Sequence, residues 1–92
     1  MEPLAQAVSS IIKEQMAIVG PLAIDQAKKV SGLKINSVSN IELTGDKKEI
    51  LNGLVNEYEK LFGKASVEVC REAVKPYLDK IPTSDIPDVL KT

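Results

Sequence analysis

The chain has 92 residues, of which 43% are hydrophobic, 27% charged and 3% aromatic, and its formal net charge is −1. This length favours a single domain, 1–92, and the apolar content argues against disorder. A single Cys rules out an internal disulfide, and the absence of His removes the commonest general base and metal ligand. The near-zero net charge provides no electrostatic field that would attract nucleic acid or an anionic membrane.

The first thirty residues carry apolar side chains at intervals of three and four, the pattern of an amphipathic helix. These side chains are Leu4, Val8, Ile11, Ile12, Met16, Val19, Ala23, Ala27 and Val30. The pattern crosses Gly20 and Pro21, which favour a break because proline removes a helical hydrogen bond and glycine adopts a left-handed conformation readily. We predict one helix over 3–19 and a second over 21–31. A single long helix kinked at Pro21 is the alternative.

Residues 33–44 lack helical spacing. Their apolar side chains alternate with polar ones over a span that we judge too short to form a sheet, so we predict an extended connector that packs onto the helices. Thr44 is the predicted N-cap of a third helix over 45–62, which ends at Gly63. This helix has the most regular amphipathic pattern in the chain.

The fourth predicted helix covers 64–80 and bends at Pro76, whose ring displaces the carbonyl of Glu72. Cys70 lies on its apolar stripe, which favours core packing over nucleophilic chemistry. The tail, 82–92, is predicted to form a short helical turn with apolar side chains available to dock, or alternatively to fray.

The two halves of the chain resemble each other at an offset of 43 residues. This offset aligns Gly20 with Gly63, Glu14 with Glu57 and a series of apolar residues, and it defines possible repeats over 3–32 and 46–80. Any two amphipathic helices can be matched in this way, which is the alternative explanation. A true repeat predicts an all-α four-helix bundle made of two hairpins, each with a helix, a glycine corner and a second helix.

One short segment suggests a family. Residues 18–23, Ile-Val-Gly-Pro-Leu-Ala, resemble the Gly-Pro-[Ile/Leu]-Ala helical corner of small accessory modules appended to bacterial signalling proteins such as Ser/Thr kinases and response-regulator assemblies. The resemblance implies a non-catalytic regulatory or docking role. The second corner departs from the pattern, because Lys64 stands where proline is expected.

The remaining motifs do not indicate a catalytic, metal-binding or nucleic-acid-binding site. Lys64 follows Gly63, but the earlier glycine and preceding strand of a phosphate-binding loop are missing. Acidic residues near 46–59 do not have calcium-loop spacing and are expected to form a solvated helix face. A helix-turn-helix role is disfavoured because the helix after Gly63 carries a balance of only +1. We therefore expect no catalytic residue, no cofactor, no metal site and no nucleic-acid partner.

The remaining candidate is a surface for another protein. Apolar residues off the main stripe or beside the first corner, together with two tyrosines whose hydroxyls need a polar partner, are the candidate surface. They are Ile18, Leu22, Ile24, Leu33, Tyr58 and Tyr77, and the structural corners are Gly20, Pro21, Gly63 and Pro76. Packing of the aliphatic residues beneath the connector, and of the tyrosines in the core, is the alternative.

These observations favour a non-enzymatic interaction or regulatory module that binds another protein or itself through its helix faces. The alternative is a carrier that holds a small apolar ligand or lipid inside the bundle, which would require a cavity. The single Cys and the lack of a long apolar segment predict a cytoplasmic protein without membrane insertion.

Overall fold

Helices account for most of the described residues, 2–91, of the computed structural model. Met1 and Thr92, the ends of the predicted domain and tail, lie outside the described residues. The elements in chain order are α1 (Pro3–Val19), α2 (Leu22–Ala27), β1 (Leu33–Ser37), β2 (Asn40–Leu43), α3 (Lys47–Phe62) and α4 (Lys64–Val74), followed by 3-10 segments at Lys75–Lys80, Thr83–Asp85 and Asp88–Leu90.

Both predicted glycine corners are present. Gly20 has φ 73° and ψ −153°, and Gly63 has φ 78° and ψ −171°, a backbone region that is essentially restricted to glycine. Each glycine N–H donates 2.9 Å to the carbonyl four residues earlier, and each glycine carbonyl accepts 3.1 Å from the N–H three residues later. The helix is therefore broken before Pro21 and not merely kinked. The backbone bonds at the two corners match at the 43-residue offset.

The predicted connector 33–44 is wrong in one respect, because it contains a β-hairpin. Strands β1 and β2 pair antiparallel, with Leu33 opposite Leu43 and Ile35 opposite Ile41. The tip is held to α1, since the Ser9 hydroxyl donates to the Val38 carbonyl. The predicted all-α class is corrected accordingly: residues 2–91 form a mainly helical fold with four α-helices and a two-stranded sheet.

Three predicted element boundaries also change. The second helix covers only Leu22–Ala27, because the chain turns from Lys28 into the hairpin. The third helix is capped by Asp46, whose carboxylate accepts 3.1 Å from the Glu49 N–H, whereas Thr44 bonds to the Gly32 carbonyl and closes the hairpin. The fourth α-helix ends at Val74, and Pro76 lies in the first turn of a 3-10 segment that replaces the predicted last turns.

The core takes side chains from the four helices, the hairpin and the C-terminal segments. Positions that match at the offset of 43 are buried alike: Ile11 and Leu54 are both fully buried, and so are Ile12 and Val55. The tail docks through Ile86 and Leu90, and the Arg71 side chain donates 2.8 Å to the Val89 carbonyl. The helices are therefore positioned by one continuous core.

Candidate functional site

Two buried hydrogen bonds bring the glycine corners to the same end of the molecule. The Gln15 amide on α1 donates 3.0 Å to the Ser66 carbonyl in the first turn of α4. The Tyr58 hydroxyl on α3 donates 2.7 Å to the Ala23 carbonyl in α2. Donors and acceptors are each 43 residues apart, so each half of the chain binds the helix that follows the other half's corner. We call the region around Gly20 and Gly63 the corner end.

The interior behind the corner end holds the chain's only thiol. The Gln15 amide nitrogen lies 3.6 Å from Cys70 Sγ, and Tyr58 and Cys70 are both fully buried. Burial raises the pKa of the Cys70 thiol to about 11 and raises the pKa of Tyr58 well above its ordinary value. Because both groups stay protonated near neutral pH, this cluster is equipped for packing and hydrogen bonding and lacks a thiolate nucleophile.

Large apolar side chains are exposed at the corner end. Ile18 is 63% exposed, Leu22 43% and Leu61 52%. Each stands two residues from Gly20 or Gly63. No other large hydrophobic residue within the described range 2–91 is comparably exposed. The exposed apolar surface is thus concentrated at one end.

The other predicted surface residues are less available to a partner. Ile24 and Tyr77 are half-buried and pack against the core, while Leu33 and Tyr58 are buried. The expectation that Tyr58 belongs to the partner surface is therefore corrected, because its hydroxyl donates to a backbone carbonyl inside the protein. Leu61 is absent from the predicted surface, although the offset of 43 aligns it with Ile18 and could have identified it.

A groove runs beside Ile18 between α1 and α4. It has a volume of about 330 Å³ and is lined by Glu14, Ile18, Glu68, Val69 and Glu72. Glu68 pairs with Arg71 on α4, and Glu72 pairs at 3.2 Å with Lys75, the first residue after α4. We call it the Ile18 groove.

A second depression, of about 440 Å³, lies where α2 and α3 approach the base of the hairpin. Its lining includes Lys29, Asp46, Glu49 and Glu57 together with backbone at Gly32 and Gly45. It is open at the surface, and its charged lining includes both a lysine and carboxylates. Across residues 2–91, no group of three or more acidic or Cys side chains is arranged to hold a metal ion, and no helix combines the length and apolar character needed to cross a bilayer.

Comparison with known proteins leaves the site to be judged on its own geometry. No family model matches this chain, and the searches of curated proteins and of solved structures give no significant match.

Proposed function

We propose that this protein is a non-enzymatic interaction module that binds another protein through the apolar surface at its corner end. The observation that carries the proposal is the position of Ile18, Leu22 and Leu61, the most exposed large hydrophobic side chains of the described chain, each two residues from a corner glycine. Grouped exposed apolar residues on a small soluble domain are typical of interaction surfaces.

The rigid support beneath these residues favours the same proposal. The hydrogen bonds of Gln15 and Tyr58 fix both corners against the core one helical turn below Ile18 and Leu61. A surface that is already ordered binds with a smaller entropic cost than one that must be ordered on binding. The corners, and the bundle of two pseudo-repeated helical hairpins that they suggest, are part of the proposal as the scaffold of this surface.

Catalysis has little support among the described side chains. The only thiol is buried and its pKa is raised, and the chain has no His. A regulatory role in signalling, which the Gly20-Pro21 corner suggests by resemblance, remains a prediction. The carrier alternative would need an enclosed apolar cavity, whereas the depressions described above are open and have charged residues in their lining.

Affinity purification of the tagged full chain from its native cells tests the proposal. The wild type should retain a specific protein, or a second copy of itself, that is reduced at least several-fold by Ile18→Ser, Leu22→Ser or Leu61→Ser. Lys48→Ser on the exposed face of α3 is the control and should retain it. A wild-type chain that is a strict monomer by light scattering at every concentration, retains no protein and co-elutes with lipid would contradict the proposal and favour the carrier.

A further inference from the structure

The lining of the Ile18 groove combines two apolar side chains with three carboxylates, which we call its acidic rim. Ile18 is 63% exposed and Val69 is half-buried, so both present carbon surface to the groove. The other three lining residues, Glu14, Glu68 and Glu72, are carboxylates, and no basic side chain lines the groove in the part of the chain described. An occupant must therefore offer apolar surface and tolerate, or prefer, an acidic rim.

The cations that partner these carboxylates lie outside the groove. Arg71 and Lys75 each pair with a carboxylate three residues earlier on α4, and the Glu68 and Glu72 side chains are 67% and 68% exposed. The Lys75–Glu72 pair is exposed on both sides and contributes little, so an incoming cation can share or replace it at little cost. The rim carboxylates can therefore pair with a basic partner.

The matching position in the other half of the chain differs in charge. The offset of 43 aligns Ile18 with Leu61 and Glu14 with Glu57, which keeps an exposed apolar residue and a carboxylate in each half. It aligns Glu72 with Lys29. Glu14 and Glu72 both line the Ile18 groove, and their counterparts Glu57 and Lys29 both line the second depression. The offset also aligns Val69 with Gln26. The charged residues of the groove are thus all acidic in one half, whereas those of the other half's depression include a lysine.

A second copy bound through the same groove would place carboxylates opposite carboxylates, which is unfavourable. We propose that the Ile18 groove binds a segment of a different protein that presents an apolar side chain flanked by Lys or Arg. This inference rests on the proposed function and specifies the partner's chemistry. The apolar side chain contacts Ile18 and Val69, and the flanking cations pair with Glu14 and Glu72.

The test is a titration of the ¹⁵N-labelled full chain with a synthetic amphipathic helical peptide that carries Leu on one face and Lys on either side of that face. Binding is measured by the changes in the amide chemical shifts of the protein. Glu14, Ile18, Val69 and Glu72 should shift more than their counterparts around Leu61 and Lys29. A peptide with Glu in place of Lys should bind far more weakly, and raised salt should weaken the Lys peptide. Glu72→Lys, which copies the charge at Lys29, should reduce affinity about fivefold, because it removes one pairing and adds a repulsion.

The control is Glu42→Lys on the hairpin, which changes net charge equally and should leave affinity within about twofold. Equal shifts in both halves, equal binding of the Glu peptide, an unchanged affinity in Glu72→Lys, or no binding would each overturn the inference. The proposed function is tested separately. A partner that is lost in Leu61→Ser but retained in Ile18→Ser would support the proposed function and exclude the Ile18 groove as the binding site.

Discussion

Gln15 and Tyr58 occupy equivalent positions 43 residues apart, and each donates a buried hydrogen bond to the backbone of the helix that follows the other half's corner. The two residue types are unrelated, yet the geometry is reciprocal. The pair therefore joins the two halves of the chain directly beneath the exposed residues of the corner end.

Loss of the Tyr58 hydroxyl should destabilise the fold. Tyr58→Phe removes the buried hydrogen bond that the hydroxyl donates to the Ala23 carbonyl, which should lower the free energy of unfolding by about 1–3 kcal/mol. Tyr77→Phe removes the same group from a half-buried ring and should change stability by less than about 0.5 kcal/mol. Urea unfolding measures both. Equal effects of the two substitutions would show that the Ala23 bond contributes nothing.

A side chain at either corner glycine should strain the backbone. Gly20→Val and Gly63→Val force a branched residue into a region that costs about 1–3 kcal/mol, although an added Cβ meets no atom within 4 Å at either site. The helical Gly53 is the contrasting site. Gly53→Ala makes only an ordinary contact with Val30 and should stabilise the protein by about 0.5–1 kcal/mol. Thermal unfolding distinguishes the three, and full tolerance at Gly20 would contradict a broken helix.

Stability should decline in alkaline solution. Burial raises the pKa of Cys70 to about 11 and raises the pKa of Tyr58 too, so the folded state holds these protons after the unfolded state has lost them. The contribution of these two groups is complete below about pH 8, where both are protonated in either state, and is lost as pH rises through the folded pKa values. The urea midpoint should fall from about pH 8 upward. Combining Cys70→Ala with Tyr58→Phe should flatten that decline, and an unchanged slope would contradict the assignment.

The exposed isoleucine should be dispensable for folding. Ile18→Ala should change the free energy of unfolding by less than about 0.5 kcal/mol. Ile11 lies about two turns earlier on nearly the same side of α1 but is fully buried, and Ile11→Ala should cost about 2–5 kcal/mol. Urea denaturation of the two variants provides the comparison. A large loss of stability in Ile18→Ala would mean that this side chain stabilises the fold, which would contradict its assignment to a partner surface.

The helix breaks were predictable, because Gly20 and Gly63 are glycines at the ends of clear amphipathic stripes. The hairpin was not. Its two-residue tip, Val38 and Ser39, lacks the glycine or asparagine that usually marks such a turn, and its strands depend on packing and on the Ser9 bond to α1. Both Thr44 and Asp46 are good caps, so only the hairpin geometry decides between them.

The candidate site was predictable in part. Ile18 lies at the edge of the apolar stripe in the last turn of α1, and Leu22 lies beside the first corner, and both are exposed. Leu61 follows the stripe of α3 and becomes exposed because it lies in the last turn of that helix, beside the corner. Periodicity assigns a residue to a helix face but does not tell how far along the helix the neighbouring elements cover that face. The burial of Leu33 could not be predicted either, because it depends on how the hairpin packs against the neighbouring elements.

Site-specific photo-crosslinking in the native cell tests the central claim most directly. A photoreactive phenylalanine analogue replaces Ile18, Leu22 or Leu61 in turn, with Lys48 as an exposed control position away from the corners. The account predicts that the corner positions yield a covalent adduct with the same protein, identified by mass spectrometry, and that position 48 does not. Adducts that form equally at position 48, or at none of the corner positions, would contradict it.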